Sequence, residues 1–194
     1  MIRRSATIFA LGLAACAAPS YDYNKEPDPR KQEYVIGVAD GLRINVWKNP
    51  ELSTAGSVRP DGTITMPLIG DIRAAGRTAS QLTEEIGNRL KTFVKEESTL
   101  VSIAITDVNS YRFTVSGNAE RPGVFNLKYY ATVADAIALA GGLNKFASPK
   151  RLVILRQQSN GGIRKVPVNF DRISGGDHPE ENIVVLANDT IYVP

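Results

Sequence analysis

Side-chain catalysis needs a nucleophile, a base and a group that orients them, and the residue types that serve are sparse in this chain. His178 is the single histidine. It stands in the run Gly175, Gly176, Asp177, His178, Pro179, Glu180, Glu181, whose glycine, proline and charge read as a solvated turn. Asp177, His178, Glu180 and Glu181 are ligand types for a divalent metal, but their spacing matches no known ligand set. Glu84 and Glu85 lie near an expected helix start, where the dipole favours negative charge without a catalytic role. Asp40, Asp61 and Asp189 each precede an alternating apolar run, so turn-making explains all three. Gly141 and Gly142 lack the lysine followed by serine or threonine of a phosphate loop, and a helix stop accounts for them. Trp47, Tyr111, Tyr129 and Tyr130 carry faces that could stack on sugar rings, with core or interface packing as the competing reading. The chain thus reads as a non-enzyme with no cofactor and no metal.

Composition narrows the class further. The 194 residues are 43% hydrophobic and 22% charged, enough to bury one or two modest cores. Basic residues number 23 against 20 acidic, and the small excess is gathered into no stripe, so a nucleic-acid footprint is absent.

The N-terminus has its own chemistry. Met1 to Arg4 form a short positive segment, and Ala6 to Ala15 an apolar run ending at Cys16. This is the pattern of an export leader, too short to span a bilayer as a stable helix. Removing it takes Arg3 and Arg4 away, and 23 less two leaves 21 basic against 20 acidic residues. Cys16 is the only cysteine, so it is free, paired between chains, or modified. Leu13, Ala14, Ala15 and Cys16 resemble the lipobox of bacterial lipoproteins. That resemblance implies cleavage after residue 15, acylation of Cys16 and, with Ala17 rather than aspartate next, sorting to the outer membrane. Residues 21–33 are rich in proline and charge and lack periodicity, which reads as a flexible tether between lipid and folded domain.

The elements beyond it are legible from period. Leu42, Ile44 and Val46 alternate with polar partners, as in a strand with one buried face. Residues 58–66 read as a hairpin turning on Asp61 and Gly62, with Ile64 and Met66 alternating after it. Thr78 and Gln81 form a capping box ahead of Leu82, Ile86 and Leu90, predicting a helix of about four turns. Val101, Ile103 and Ile105 predict another strand. A second unit follows: a strand to Ser116 and Gly117, a turn at Pro122 and Gly123, and a helix capped by Thr132 carrying Val133, Ala136, Ile137 and Ala140. Strands over 152–155, 166–170 and 190–193 complete it, with loops at 157–162 and 174–181. Two α+β units in series, divided near residue 110, are expected.

In their order and spacing these segments resemble the polysaccharide-export (Wza-type) family. The first unit carries Tyr34, Gly37, Asp40, Leu42, Ile44, Val46 and Trp47, then Val58, Arg59, Pro60, Asp61, Gly62, Thr63 and Ile64, then Pro67 to Gly70. The second resembles the family's β-grasp SLBB module through Gly117, Arg121, Pro122, Gly123, Asp135, Ala136, Gly141, Gly142, Arg156, Asn182 and the closing Asn188, Asp189, Ile191 and Val193. Ala39 and Asn188 depart from it, standing where the family usually has glycine, and Asn118 and Ala119 stand where it often has a glutamate and a larger apolar residue.

The resemblance implies a leader at 1–15, a lipidated tether at 16–33, a polysaccharide-export domain at 34–110 and an SLBB domain at 111–194. It also implies a periplasmic ring of identical copies, anchored in the outer membrane through Cys16, that conducts capsular or exopolysaccharide and works with an inner-membrane co-polymerase. Long family members continue into a further module and a pore-lining helix; the sequence ends at Pro194, so a separate outer-membrane β-barrel is the expected pore. The competing reading is a saccharide-binding or scaffolding lipoprotein that forms no conduit.

Overall fold

The computed structural model describes residues 21–94, 100–158 and 160–194. Cys16, the leader at 1–15 and residues 16–20 lie outside the described residues. Among the described residues two hydrophobic cores form, one around Ile36 to Leu90 and one around Tyr111 to Val193, in the α+β organisation that the residue periods predict.

The first core is built on β1 (Gly41–Val46), whose Leu42, Ile44 and Val46 are buried while Arg43 and Asn45 face water. It is the centre of an antiparallel sheet, flanked by β2 (Thr54–Ser57) and β5 (Val101–Asp107). Helix α1 (Ala79–Leu90) begins at the Thr78 and Gln81 capping box. Its Leu82, Ile86 and Leu90, each one turn from the last, are fully buried in this core.

The expected 58–66 hairpin is displaced by one segment. The Asp61–Gly62 turn exists, closed by Gly62 N–H to Arg59 O at 2.8 Å, and Pro60 sits in it with no ladder to interrupt. The paired strands, however, are β3 (Thr63–Met66) and β4 (Gly70–Arg73), in register Ile64 to Ile72. Pairing forward buries Ile64, Met66 and Ile72 together; pairing back would set them against the chain at Arg59 and Pro60, which has no apolar row to offer.

The second core is covered by a five-stranded sheet formed by β6 (Arg112–Gly117), β7 (Gly123–Asn126), β8 (Leu152–Gln157), β9 (Ile163–Val168) and β10 (Thr190–Val193). The order is β7-β6-β10-β8-β9. The central β6 and β10 are parallel and the other pairs antiparallel. Helix α2 (Val133–Leu139), capped by Thr132 and Asp135, adds Val133, Ala136 and Ile137 to the core formed by Phe113, Val115, Ile154 and Ile191. First and last strands parallel at the centre of a mixed sheet, with a helix packed on one face, make a β-grasp.

Two boundaries differ from expectation. The strand expected over 166–170 runs from Ile163 to Val168, because the Asn169 side chain accepts from Arg172 N and starts α3 (Phe170–Gly175). The loop expected at 174–181 therefore holds the end of α3 and a 3-10 turn at Pro179–Glu181. At Gly117 the backbone has φ +85° where β6 meets the end of β10, and a Cβ there would collide with Val193 O.

The expected tether is not free over its described part. Residues 21–33 carry two 3-10 turns capped by Asp22 and Asp28. They are bound at both ends: the Tyr23 hydroxyl donates to Pro167 O at 2.8 Å, and Glu33 accepts from Ser80 N at 2.9 Å. Proline and charge without period describe a solvated coil as well as a docked strap, and only partners distant in sequence separate the two.

Candidate functional site at the domain junction

The chain passes from the first core to the second through residues 107–111, and a buried carboxylate holds this passage. Asp40 is fully buried. Its Oδ1 accepts from Asn109 N and Ser110 N, both at 2.8 Å. Its Oδ2 accepts from Gly37 N at 2.7 Å, the Tyr34 hydroxyl at 2.7 Å and Ser110 Oγ at 3.0 Å. Three backbone donors and two hydroxyls thus converge on one side chain and tie the 34–40 turn to the interdomain passage. The approach is close enough that a Cβ at Gly37 would collide with the Ser110 side chain. Burial, with Asp40 adding to it against the Ser110 bond, pushes the Tyr34 hydroxyl well above its ordinary pKa.

A second buried carboxylate, Asp189, anchors the segment before β10. It accepts from Arg156 Nε at 3.0 Å, Arg156 Nη2 at 2.6 Å and Leu186 N at 2.7 Å. Arg156 also donates to Val184 O at 3.1 Å and, through Nη1, to Glu26 Oε2 at 2.6 Å. Arg164 meets the same Glu26 oxygen at 2.6 Å. Glu26 belongs to the docked strap, yet its side chain is only 3% exposed. Two arginines thus balance two carboxylates in a clasp between strap and β-grasp domain. Tyr21 donates to the other Glu26 oxygen, and burial with that bond pushes its hydroxyl up to about 12.

Both carboxylates shape one feature. A cleft of about 510 Å³ opens between the domains, walled by residues 32–39, 109–112, Tyr130 and 186–188. Asp40 fixes the wall at 37–39 and 109–110, and Asp189 fixes the wall at 186–188. A recess of about 60 Å³, walled by Tyr34, Tyr129 and Tyr130, adjoins it through the shared Tyr34 and Tyr130. The rings of Tyr34 and Tyr130 are 6.4 Å apart, and Tyr130 meets Tyr111 edge-on at 5.1 Å.

The residue before each carboxylate is left-handed: Ala39 has φ +72° and Asn188 φ +65°, angles that strain alanine but that asparagine adopts readily. These are the two places where the sequence departs from the family's glycine. A left-handed alanine costs about 1–2 kcal/mol, offset in part by the extra freedom glycine has when unfolded. Ala39→Gly should therefore raise stability by about 0.5–1 kcal/mol, read as a higher urea midpoint with unchanged slope; a lowered midpoint would contradict the strain.

The other signature residues fall in separate places. Asp61 and Gly62 lie in the exposed turn, where Asp61 accepts from Thr63 N at 3.0 Å and pairs with Arg59 at 2.7 Å. The bonds from Thr63, with Arg59 beside them, hold the Asp61 carboxyl below its usual range. Gly70 opens β4 with φ +67°. The loop from Gly117 through Pro122 to Gly123 runs beside the end of α2 at Gly141 and Gly142, with Arg121 N–H bonded to Ala140 O at 2.8 Å and Glu120 N–H to Gly142 O at 3.0 Å.

The acidic loop resolves into two environments: His178 pairs with Glu180 at the surface, whereas Glu181 is buried and accepts from Asn169 N and Arg172. Of the aromatic candidates, Tyr111 is a core residue whose hydroxyl donates to Val185 O and accepts from Ala131 N. Trp47 and Tyr129 are exposed, at 65% and 62%. Glu26 was missed by sequence reasoning, and no local signal marked it.

Comparison with known proteins agrees with this architecture. Residues 28–104 match the family described as polysaccharide biosynthesis/export protein, and residues 112–167 match the SLBB domain. The two matches place the chain among proteins that join an export domain to a β-grasp. Among curated relatives, it is 32% identical to the exopolysaccharide production protein ExoF of Rhizobium meliloti (strain 1021), over 63% of this chain and 31% of that protein. It is 30% identical to the EPS I polysaccharide export outer membrane protein EpsA of Ralstonia solanacearum, over 57% and 35%. The similarity to the capsule polysaccharide export outer membrane protein CtrA of Neisseria meningitidis is 23% over 80% and 42%. The chain spans about a third to two fifths of the length of these relatives. It carries a polysaccharide biosynthesis/export domain at residues 28–104 followed by an SLBB domain at residues 112–167. No helix among the described residues is long and apolar enough to cross a membrane.

Proposed function

We propose that this protein is a component of a capsular or exopolysaccharide export machine. In this reading an acylated Cys16 anchors it in the outer membrane, its folded part stands in the periplasm, and identical copies close head to tail into a ring around a polar passage. An inner-membrane co-polymerase delivers the polymer. The observations that carry the reading are the ordered pair of domain matches and the similarity to proteins named for exopolysaccharide production and capsule export. The junction supports it physically: a heterologous ring closes only if every copy holds the same angle, and the Asp40 bonds restrain the two domains against each other.

Several acyl chains, at about 0.8 kcal/mol per buried methylene, give the firm attachment such a ring needs. Deleting the gene in its own organism should leave polymer trapped in the envelope while repeat-unit synthesis continues, and Cys16→Ser should remove acylation and release the protein from the membrane fraction. Detergent extracts should contain a closed multimer. A monomeric native particle would favour a non-conducting saccharide-binding lipoprotein, and normal surface polymer in the deletion strain would end the export reading.

A further inference from the structure

The cleft at the junction has the composition of a ligand site. Its volume falls within the range of about 300–1,000 Å³ usual for small-molecule pockets. Tyr34 and Tyr130 present aromatic surface to it, and Gln32 and Asn188 line it with amides whose side chains make no hydrogen bond to another described residue. Two charged side chains line it, and their situations differ. Glu33 is committed to α1, accepting from Ser80 N at 2.9 Å and Ser80 Oγ at 3.0 Å. Arg112 is exposed at the head of β6 and has no hydrogen-bond or ion-pair partner for its side chain among the described residues.

Aromatic surface suits the C–H faces of a sugar ring, amides suit its hydroxyls, and a guanidinium pairs in bidentate fashion with a carboxylate. We infer that this cleft binds a short stretch of an acidic polysaccharide, one to two sugar units long, with Arg112 pairing to the carboxylate of a uronic-acid-type residue. The inference rests on the export reading and narrows its cargo: the polymer carries carboxylated sugars. It also gives the two buried carboxylates a purpose beyond turn-making, since Asp40 and Asp189 hold opposite walls of a site they do not enter. Preformed walls lower the ordering cost of a weak ligand, and weak binding suits a polymer that must move on.

The test is titration calorimetry of the full chain with three probes: trigalacturonic acid, cellotriose and the trimer of N-acetylglucosamine. Trigalacturonic acid should bind, and the two uncharged trimers should bind about tenfold more weakly, the factor that 1.4 kcal/mol of lost ion pairing gives. Arg112→Ala should remove that preference and leave the uncharged trimers unchanged. Asn188→Gly should weaken all three about threefold through the lost amide, while the melting midpoint stays near that of the wild type because glycine adopts the same left-handed angles, so that lost binding cannot be laid to misfolding. Failure of all three trimers to bind at millimolar concentration, or equal affinities in the wild type and Arg112→Ala, would overturn the inference. Either result would leave the deletion phenotype untouched, so the failure of this inference and that of the export reading are distinguishable.

Discussion

Asp40→Ala should lower the stability of the protein by about 3–4 kcal/mol and loosen the two domains from each other. The substitution strips the acceptor from three backbone N–H groups, Gly37, Asn109 and Ser110, and from the Tyr34 hydroxyl. An unsatisfied buried donor costs about 1–3 kcal/mol, and water entering the vacated space would recover part of the sum. Asp40→Asn makes the argument sharper. The two hydroxyls can reverse and accept from an amide NH₂, but backbone N–H groups meet both oxygens and can only donate, so an asparagine must turn its NH₂ toward at least one of them. Asparagine should therefore cost about 2 kcal/mol, although it is isosteric. Urea denaturation measures both, and limited proteolysis should find new cleavage within residues 107–111. Were Asp40→Asn to match the wild type within about 0.5 kcal/mol, the account of Asp40 as an obligatory acceptor would be wrong.

Arg156→Ala should be as damaging, by about 3–5 kcal/mol, the cost of leaving buried charge without its partner. Among the described residues Asp189 would keep only the Leu186 N–H, and Glu26 would keep Arg164 and Tyr21. Glu26→Ala should cost less, because Arg164 is 37% exposed and can turn to water, and because Arg156 retains Asp189. Its distinct signature is local: amide exchange over residues 21–31 should accelerate while the strands of the β-grasp stay protected, since Glu26 supplies the strap's charged attachment to β8 and β9. Uniform acceleration across the second domain would mean that the clasp belongs to the core and not to the strap. Either outcome bears on assembly, because a strap that leaves the domain allows the lipid anchor a longer and less directed reach.

The two carboxylates illustrate how far local reading carries. Aspartate before an alternating run says that a turn feeds a strand, and both Asp40 and Asp189 stand at such turns. Nothing in the local pattern distinguishes them from Asp61, which makes a similar turn at the surface with its side chain 51% exposed. The difference is who donates from a distance: Asn109 and Ser110 to Asp40, Arg156 to Asp189, and only near neighbours to Asp61. The left-handed residues Ala39 and Asn188 were the one available hint, visible where the resembled family has glycine, and their left-handed conformation emerges only from the backbone angles. The same limit displaced the hairpin. Asp61 with Gly62 is a strong turn signal, but a turn specifies a reversal and not which strands pair across it, and burial of Ile64 and Met66 against Ile72 decided that.

By itself the sequence determined the elements whose cause is local. Periods of two and of 3.6 located β1, β5, α1 and α2, the capping box at Thr78 and the cap at Thr132 set where the helices begin, and the order of motifs specified two α+β units. Only the tertiary structure decided which charges are buried, that residues 21–33 dock and do not swing, and that the junction is a walled cleft. Local elements follow from contacts a few residues apart along the chain. The carboxylate hubs and the clasp pair residues separated by 33 to 138 positions, and such partners are chosen by the packing of whole domains, which no short window of sequence encodes.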